Sequence, residues 1–142
     1  MELPLRVLVS AVVVGLTVPA ILSGLSAYEA GQISVRVEQG IDVIVRAAED
    51  FYLAGGGAQT IRVDLDGGAT IHVEYVLLGD AAGGPRATTA SYKLTGQPVV
   101  FIRSNPPVPM EGEEGPLRLG PGRHTVRVSF EGEGPVRLAV IA

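Results

Sequence analysis

An uninterrupted apolar run close to the start of the chain constrains its fold more than any other feature. The run covers residues 7–28, contains no charged side chain, and is followed by a polar chain of strand-like pattern. As an α-helix, it would rise about 33 Å at about 1.5 Å per residue, enough to cross the roughly 30 Å hydrocarbon core of a bilayer. The sequence therefore predicts a helix that is inserted in a membrane or packed against other helices.

This helix is apolar on every side, so it has no polar face to turn towards water. Small residues along it permit close approach of a neighbouring helix. The positions expected to form a helix-packed core are Val7, Ala11, Val13, Val14, Gly15, Leu16, Val18, Ile21, Leu22 and Leu25. A cleavable secretory signal is the alternative, but its basic segment is reduced to Arg6, which Glu2 offsets. The run also exceeds the apolar segment of about 7–15 residues that is usual for a signal.

Residues 29–53 continue the helical pattern with a single apolar face. Apolar side chains recur at steps of three and four, and polar or charged ones fill the intervals. The positions expected to pack the helix against the rest of the chain are Ile33, Val37, Ile41, Ile44, Val45, Ala48 and Tyr52. The glycine triplet Gly55, Gly56 and Gly57 is predicted to end the helix as a C-cap and hinge.

From Thr60 onward the hydrophobic period changes to two, which is typical of strands. Residues 61–65 and 71–77 alternate on either side of a turn sequence at 66–68, a pattern that predicts a β-hairpin. The segment 99–102 is apolar on both faces, so we expect it at the centre of the sheet and under the helix. The further predicted strands are 87–94, 98–104, 116–119, 124–131 and 136–141, with a tight turn at 120–122.

The predicted fold class is therefore α+β. A long N-terminal helix, apolar in its first half and amphipathic in its second, precedes a small antiparallel β-sandwich or curled sheet. The predicted domains are an N-terminal helix at 1–54, a glycine hinge at 55–59 and a β-rich head at 60–142.

Segment 105–115 is rich in proline and then in glutamate. Prolines stiffen a chain without internal hydrogen bonds, so we expect an exposed connection. Such a loop is either simply solvated or in contact with a neighbouring subunit or surface. The candidate contact residues are Pro106, Pro107, Pro109, Glu111, Glu113 and Glu114. Its glutamates lack the aspartate spacing of an EF-hand, so no calcium site is predicted.

Composition and motifs argue against several functions. The net charge is -4 and the eleven basic residues are scattered, so nucleic acid is not an expected partner. Cysteine is absent, which excludes disulfides and thiolate metal sites. His72 and His124 are the only imidazoles, and neither a nucleophile motif nor an HExxH pair accompanies them. We therefore expect no enzyme, no metal and no cofactor.

Asn105 is the only asparagine in the chain, and arginine outnumbers lysine by ten to one. Few thermolabile amides indicate a hot habitat, whereas the arginine preference is equally typical of a GC-rich genome. The depleted amides favour a thermophilic source.

The order of parts resembles that of archaeal type IV pilin-like proteins, which share an apolar N-terminal helix, an amphipathic extension, a glycine joint and a β-rich head. The local resemblance lies in GIDVI at 40–44, AAEDFYLAGG at 47–56 and TIRVDL at 60–65. It implies a subunit of an extracellular filament for adhesion or surface attachment, inserted in the membrane before assembly. Identical subunits would pack their helices in the fibre core, with β heads facing solvent. Archaeal pilins carry a short basic prepeptide, so the chain is expected to be either already trimmed or an unprocessed pilin-like protein.

A second class of function is compatible with the same parts. A monomeric, single-pass membrane-anchored accessory protein, similar to archaellum stator components, would bind the cell-surface layer through its β-sandwich. What separates the two hypotheses is whether residues 7–28 end up against copies of themselves or against lipid.

Overall fold

The computed structural model describes residues 2–80 and 84–141, with side chains from Pro4 onward. Helix α1 spans Glu2–Ala54 without interruption and passes through Pro19, which has no N–H to donate to the preceding turn. The predicted α+β class, with one long N-terminal helix ahead of a β-rich head, is confirmed for this part of the chain.

Glycines shape the C-terminal end of α1. Gly55 has a left-handed φ of 82°, and the Gly56 N–H donates to the carbonyl oxygen of Phe51 at 3.0 Å. This bond from the second residue after the cap back to the last turn is the Schellman motif, and glycine suits it because it has no Cβ. The first strand already begins at Gly57, so residues 57–59 of the predicted hinge belong to the sheet.

Eight strands follow among the described residues, arranged in two four-stranded sheets. Their bounds are β1 Gly57–Asp64, β2 Val73–Leu78, β3 Thr89–Leu94, β4 Val100–Arg103, β5 Met110–Glu111, β6 Leu117–Leu119, β7 Arg123–Phe130 and β8 Val136–Ile141. The first sheet has the order β1-β7-β8-β5 and the second the order β4-β3-β2-β6. Neighbouring strands are antiparallel except β5 and β8, which run parallel.

The predicted hairpin between residues 61–65 and 71–77 is wrong. Strand β1 pairs with β7, starting with Gly57 opposite Phe130, whereas β2 pairs with β3 and β6 in the other sheet. Alternating side chains and a turn sequence indicate two strands and a reversal, but they do not select the partner of each strand. The segment 65–72 therefore crosses from one sheet to the other.

Strand β4 lies at an edge of the second sheet, contrary to the prediction that residues 99–102 are central. Val100 and Ile102 are half-buried and pack against the core, while Phe101 is exposed. The Arg86 guanidinium lies 5.1 Å from the centre of the Phe101 ring, in a cation–π contact. The continuous apolar run thus belongs to an edge strand whose outer face is partly covered by a side chain.

The amphipathic half of α1 lies against β1, β7 and β3 and shares one core with both sheets. Gly40 of the helix approaches β1 closely, since a Cβ added there would lie 3.1 Å from the Val63 side chain. On its other side, Glu38 and residues 100–102 of β4 line a common groove. The helix therefore packs on β1 and β7 of the first sheet and on β3 of the second, and a groove lies between it and the edge strand β4.

Only part of segment 105–115 is the exposed loop that was predicted. Pro106 and Pro107 are exposed, but Val108 and Met110 are buried, and Met110 belongs to β5. The Val108 N–H donates to the Ser104 Oγ at 2.7 Å. Apolar side chains between the prolines and the glutamates thus anchor the segment in the core.

Candidate assembly surface

The apolar half of α1 makes no packing contact that buries it within the described chain. Every residue from Pro4 to Leu25 is exposed, and Leu16 keeps 72% of its surface. By length and composition this helix is able to cross a membrane. The exposed residues include all those predicted to form a helix-packed core: Val7, Ala11, Val13, Val14, Gly15, Leu16, Val18, Ile21, Leu22 and Leu25. A contiguous apolar surface of this extent marks a site of interaction with protein or membrane.

The other half of α1 buries the face that was expected to pack against the head. The buried residues are Ile33, Val37, Ile41, Ile44, Val45 and Ala48. Tyr52 differs, because it remains 39% exposed while its ring centre lies 5.3 Å from that of Phe130. It lies in the last turn of α1, level with the end of β7, so the sheet covers only part of the ring.

Two alanines on the buried face were not among the predicted packing positions. Ala30 and Ala47 are both buried against the head. Alanine is a good helix former on either face of a helix, so its presence does not mark a packing position.

Polar side chains beside the buried face also bind α1 to the head, and the sequence analysis missed them. The Tyr92 hydroxyl donates to the Glu38 carboxylate and lies 2.6 Å from the Ser34 Oγ. Burial, and then the hydrogen bond to Glu38, raise the pKa of Tyr92, so its neutral, donating form is favoured. A polar residue at the boundary of an amphipathic helix has the same spacing as a solvated one, so periodicity does not reveal such contacts.

Glu29, the first charged residue after the apolar run, binds the connection between β1 and β2. Its carboxylate accepts the N–H groups of Thr70 and Ile71 and the Thr70 hydroxyl, each at 3.0 Å. A Cβ added to Gly68 would collide with this carboxylate, so glycine is what permits the loop to close around it. The carboxylate therefore fixes the loop to the level at which the helix leaves the head.

A second loop lies at the same end of the head. The Thr95 N–H donates to the His72 carbonyl oxygen at 2.9 Å, and the His72 N–H donates to the Thr95 Oγ1 at 3.2 Å, so the two loops are joined. We call residues 67–71 and 95–98 together the collar.

Two grooves lie between the collar and α1. The larger, of about 590 Å³, runs between Leu22 and Leu25 of the helix and the first collar loop. The smaller, of about 350 Å³, separates Ala27 and Gly31 from the second collar loop. The helix thus leaves the head with open space on two sides.

Glycines in and just beyond the apolar half are not required by the fold of a single subunit. A Cβ added at Gly15, Gly24 or Gly31 would meet no atom within 4 Å. Glycine inside a helix costs about 1 kcal/mol relative to alanine, because it loses more backbone freedom on folding. Packing within the chain does not offset that cost.

Comparisons with family models, with curated proteins and with solved structures find no match to this chain. Its function is therefore inferred from the geometry and chemistry of the chain.

Neither imidazole belongs to a cluster of potential metal ligands within the part of the chain that the structure describes. His72 is exposed, and a ring nitrogen of His124 lies 2.7 Å from the Gly120 carbonyl oxygen. Within residues 2–80 and 84–141, no cluster of three or more His, Asp or Glu side chains is placed to hold a metal ion. The exposed apolar half of α1 and the adjoining collar are the candidate functional surface.

Proposed function

We propose that the protein is a structural subunit of an extracellular, type IV pilus-like filament that serves adhesion or surface attachment. The observation that carries the proposal is a helix of two halves, one docked in a β-rich head and the other apolar on all sides and exposed from Pro4 to Leu25. Identical subunits pack the exposed halves in the fibre core, and their heads face solvent.

The same helix surface serves before and after assembly. Lipid tails and leucine side chains are similarly apolar, so a helix that is stable in a bilayer is also stable in a dry bundle of its own kind. Close packing between helices then decides between the bilayer and the bundle, and small residues permit that packing. Gly15 and Gly24 support this step, because their cost is offset only when another backbone approaches them closely.

Projection of the helix beyond one end of the head also favours an open polymer. A contact between the projecting half of one copy and a different surface of the next is heterologous, and it gives a filament when the rotation does not close into a ring. Adhesion is assigned to the heads because they alone would reach the outside of such a fibre.

The experiment that tests the proposal is electron microscopy of material sheared from native cells, with peptide mass spectrometry of the same fraction. We expect thin, uniform fibres composed mainly of this chain. Dispersed particles that stay with the membranes would overturn the proposal.

That second outcome corresponds to a membrane-anchored accessory protein whose β-sandwich binds the cell-surface layer. The observation that favours it is the length and composition of α1, which suffice for a single membrane span. Cross-linking in intact membranes separates the two functions, because an accessory protein gives links to a surface-layer component and few between copies of itself.

A further inference from the structure

The collar lies at a defined height along the helix. Arg6 and Glu29 bracket the apolar run and are separated by 23 residue steps, about 35 Å of α-helix. A tilt of about 20°, the average for membrane-spanning helices, shortens this span to about 33 Å. A bilayer measures about 30 Å across its hydrocarbon core and about 40–45 Å with its headgroups. When Arg6 reaches the headgroups on one side, Glu29 is therefore within the headgroup layer on the other.

Glu29 brings part of the head to that level. Its carboxylate holds the first collar loop through Thr70 and Ile71, and the hydrogen bonds between Thr95 and His72 join the second collar loop to the first. These contacts set the height of both loops along α1, because the helix continues through this region without a break.

The two collar loops are uncharged and of mixed polarity. Residues 67–71 and 95–98 include glycine, alanine, threonine, glutamine and proline, and they contain no Asp, Glu, Lys or Arg. Tyr28, exposed on the helix just below Glu29, has the amphipathic ring that is enriched at membrane interfaces. The nearest carboxylate, that of Glu29, has its oxygens bound by loop donors and does not depend on water alone.

The opposite end of the head has a different character. The turn between β7 and β8 contains the exposed Glu131 and Glu133, and its Gly132 lies close to Gly55 at the far end of α1. That end is about 38 Å above Glu29 along the helix, far beyond the headgroup layer. The collar end also has charged neighbours, since Asp66 just before the first collar loop pairs with Arg123, and Arg36 lines the larger groove.

We propose that the collar is a lipid-binding surface that seats the head in the headgroup layer of the membrane while α1 spans the hydrocarbon core. The occupant of the larger groove at this stage is lipid, because Leu22 and Leu25 of the apolar half of α1 line it. The inference concerns the membrane-inserted subunit, so it holds whether or not the subunit later enters a filament.

The chain has no cysteine, so single-cysteine variants of the full-length protein report on chosen positions without background. Gln97→Cys lies in the collar, and Gln59→Cys is its matched control because both glutamines are exposed. Gln59 lies about 30 Å further from the membrane than Glu29. This distance is the rise of the helix from Glu29 to Gly40, which lies beside Val63, plus the four residues of β1 from Val63 to Gln59. Each variant is labelled with a fluorophore and reconstituted in phosphatidylcholine vesicles that contain headgroup-spin-labelled lipid.

We expect several-fold stronger quenching at Gln97→Cys than at Gln59→Cys. Equal quenching at the two positions would overturn the inference. So would quenching at Gln97→Cys that disappears as the protein is diluted in lipid, because a second subunit would then be the occupant.

Leu16→Cys, labelled in the same way and probed with chain-labelled lipid, reports whether the helix enters the bilayer. Absence of quenching there would contradict the membrane span on which the inference depends. None of these readouts requires fibres, so a failure of the proposed filament is seen separately, by electron microscopy.

Discussion

The two halves of α1 have the same backbone and opposite surroundings. From Pro4 to Leu25 every residue is exposed, whereas the half from Ala30 to Ala48 buries one face completely between two sheets. Both halves are rich in valine, isoleucine and leucine, so hydrophobicity alone does not distinguish them. What distinguishes them is the presence of a packing surface within the chain. The second half packs on the sheets of the head, whereas for the apolar half we propose that neighbouring subunits or lipid provide that surface.

A charge in the apolar half gives the largest expected difference between the two environments. Val13→Arg should abolish assembly, because an unpaired charge in a dry helix bundle costs several kcal/mol. The head should still fold, since Val13 is 55% exposed and contributes nothing to the core. Fibre yield by electron microscopy and far-ultraviolet circular dichroism in detergent measure the two effects.

Val140→Arg is the matched control, because Val140 is 48% exposed but lies on β8 of the head. It should leave fibre yield unchanged. Normal fibres from Val13→Arg would exclude the apolar half from the fibre core.

Two isoleucines on the same helix provide the next comparison. Ile41→Ala should destabilise the head by about 2–5 kcal/mol, because Ile41 is 1% exposed and its truncation leaves a cavity. Ile21→Ala, at a residue that is 54% exposed, should change the stability of the detergent-solubilised subunit by less than about 0.5 kcal/mol. Denaturant unfolding followed by a head-specific probe measures both. Equal losses at the two positions would mean that the apolar half also packs within the subunit.

The effect of a glycine substitution on stability should have opposite signs in the single subunit and in the fibre. Gly24→Ala introduces a methyl group into open space, so the helix of a single subunit should gain up to about 1 kcal/mol. In a fibre the same methyl group would separate helices that approach at Gly24, so the fibre should melt at a lower temperature than wild type. Scanning calorimetry of detergent-solubilised subunits and of assembled fibres measures both effects.

Gly57→Ala is the contrasting variant, because Gly57 has a φ of 148° and a Cβ there would collide with the Phe51 ring. It should weaken the subunit itself. If Gly24→Ala fibres melt like wild type, close helix approach at that glycine is excluded.

The smallest expected effect concerns the contact of Tyr92 with Ser34 and Glu38. The pKa of Tyr92 is raised above its ordinary value of 10.0, first by burial and then by the hydrogen bond to Glu38. The unfolded chain therefore releases this proton at lower pH than the folded one, so the contribution of Tyr92 is complete below pH 10 and is lost as the pH rises through its raised pKa. Unfolding of detergent-solubilised subunits at several alkaline pH values should show this decline.

In Tyr92→Phe the alkaline decline should be smaller, whereas Tyr28→Phe, at an exposed position on the helix, should follow the wild-type curve. Identical declines in wild type and Tyr92→Phe would show that other groups dominate the alkaline limb.

The sequence specified a good part of the head, but not how its strands are arranged. Alternation located β1, β2, β7 and β8 well, because period-two burial is a local property. The hairpin pattern paired β1 with β2 incorrectly, and the continuous apolar run at 99–102 placed β4 in the centre, because strand order depends on contacts between segments far apart in the chain. The parallel contact between β5 and β8 brings together segments separated by two other strands, and no local pattern encodes it.

The candidate functional surface was likewise predicted only in part. The exposed apolar positions of α1 were predicted by composition and period, since an all-round apolar helix has no polar face to give to water. The collar was not predicted, because glycine, threonine and glutamine in two distant loops carry no signal until a fold brings them together. Glu29 gave no clearer indication, since one carboxylate after an apolar run is usual whether or not it binds a loop.

The sequence by itself determined the long helix, the change at Glu29 from an all-round apolar surface to a one-sided one, and the strand content of the head. These follow from the spacing of apolar residues and from glycine caps, which act over a few neighbouring residues. Only the tertiary structure decided that the helix packs on β1, β7 and β3, that Tyr92 binds Glu38 and Glu29 binds the first collar loop, and that two uncharged loops lie beside the point where the helix leaves the head. These contacts join residues that are far apart in the chain, so they stabilise the protein only when the fold brings all the partners together.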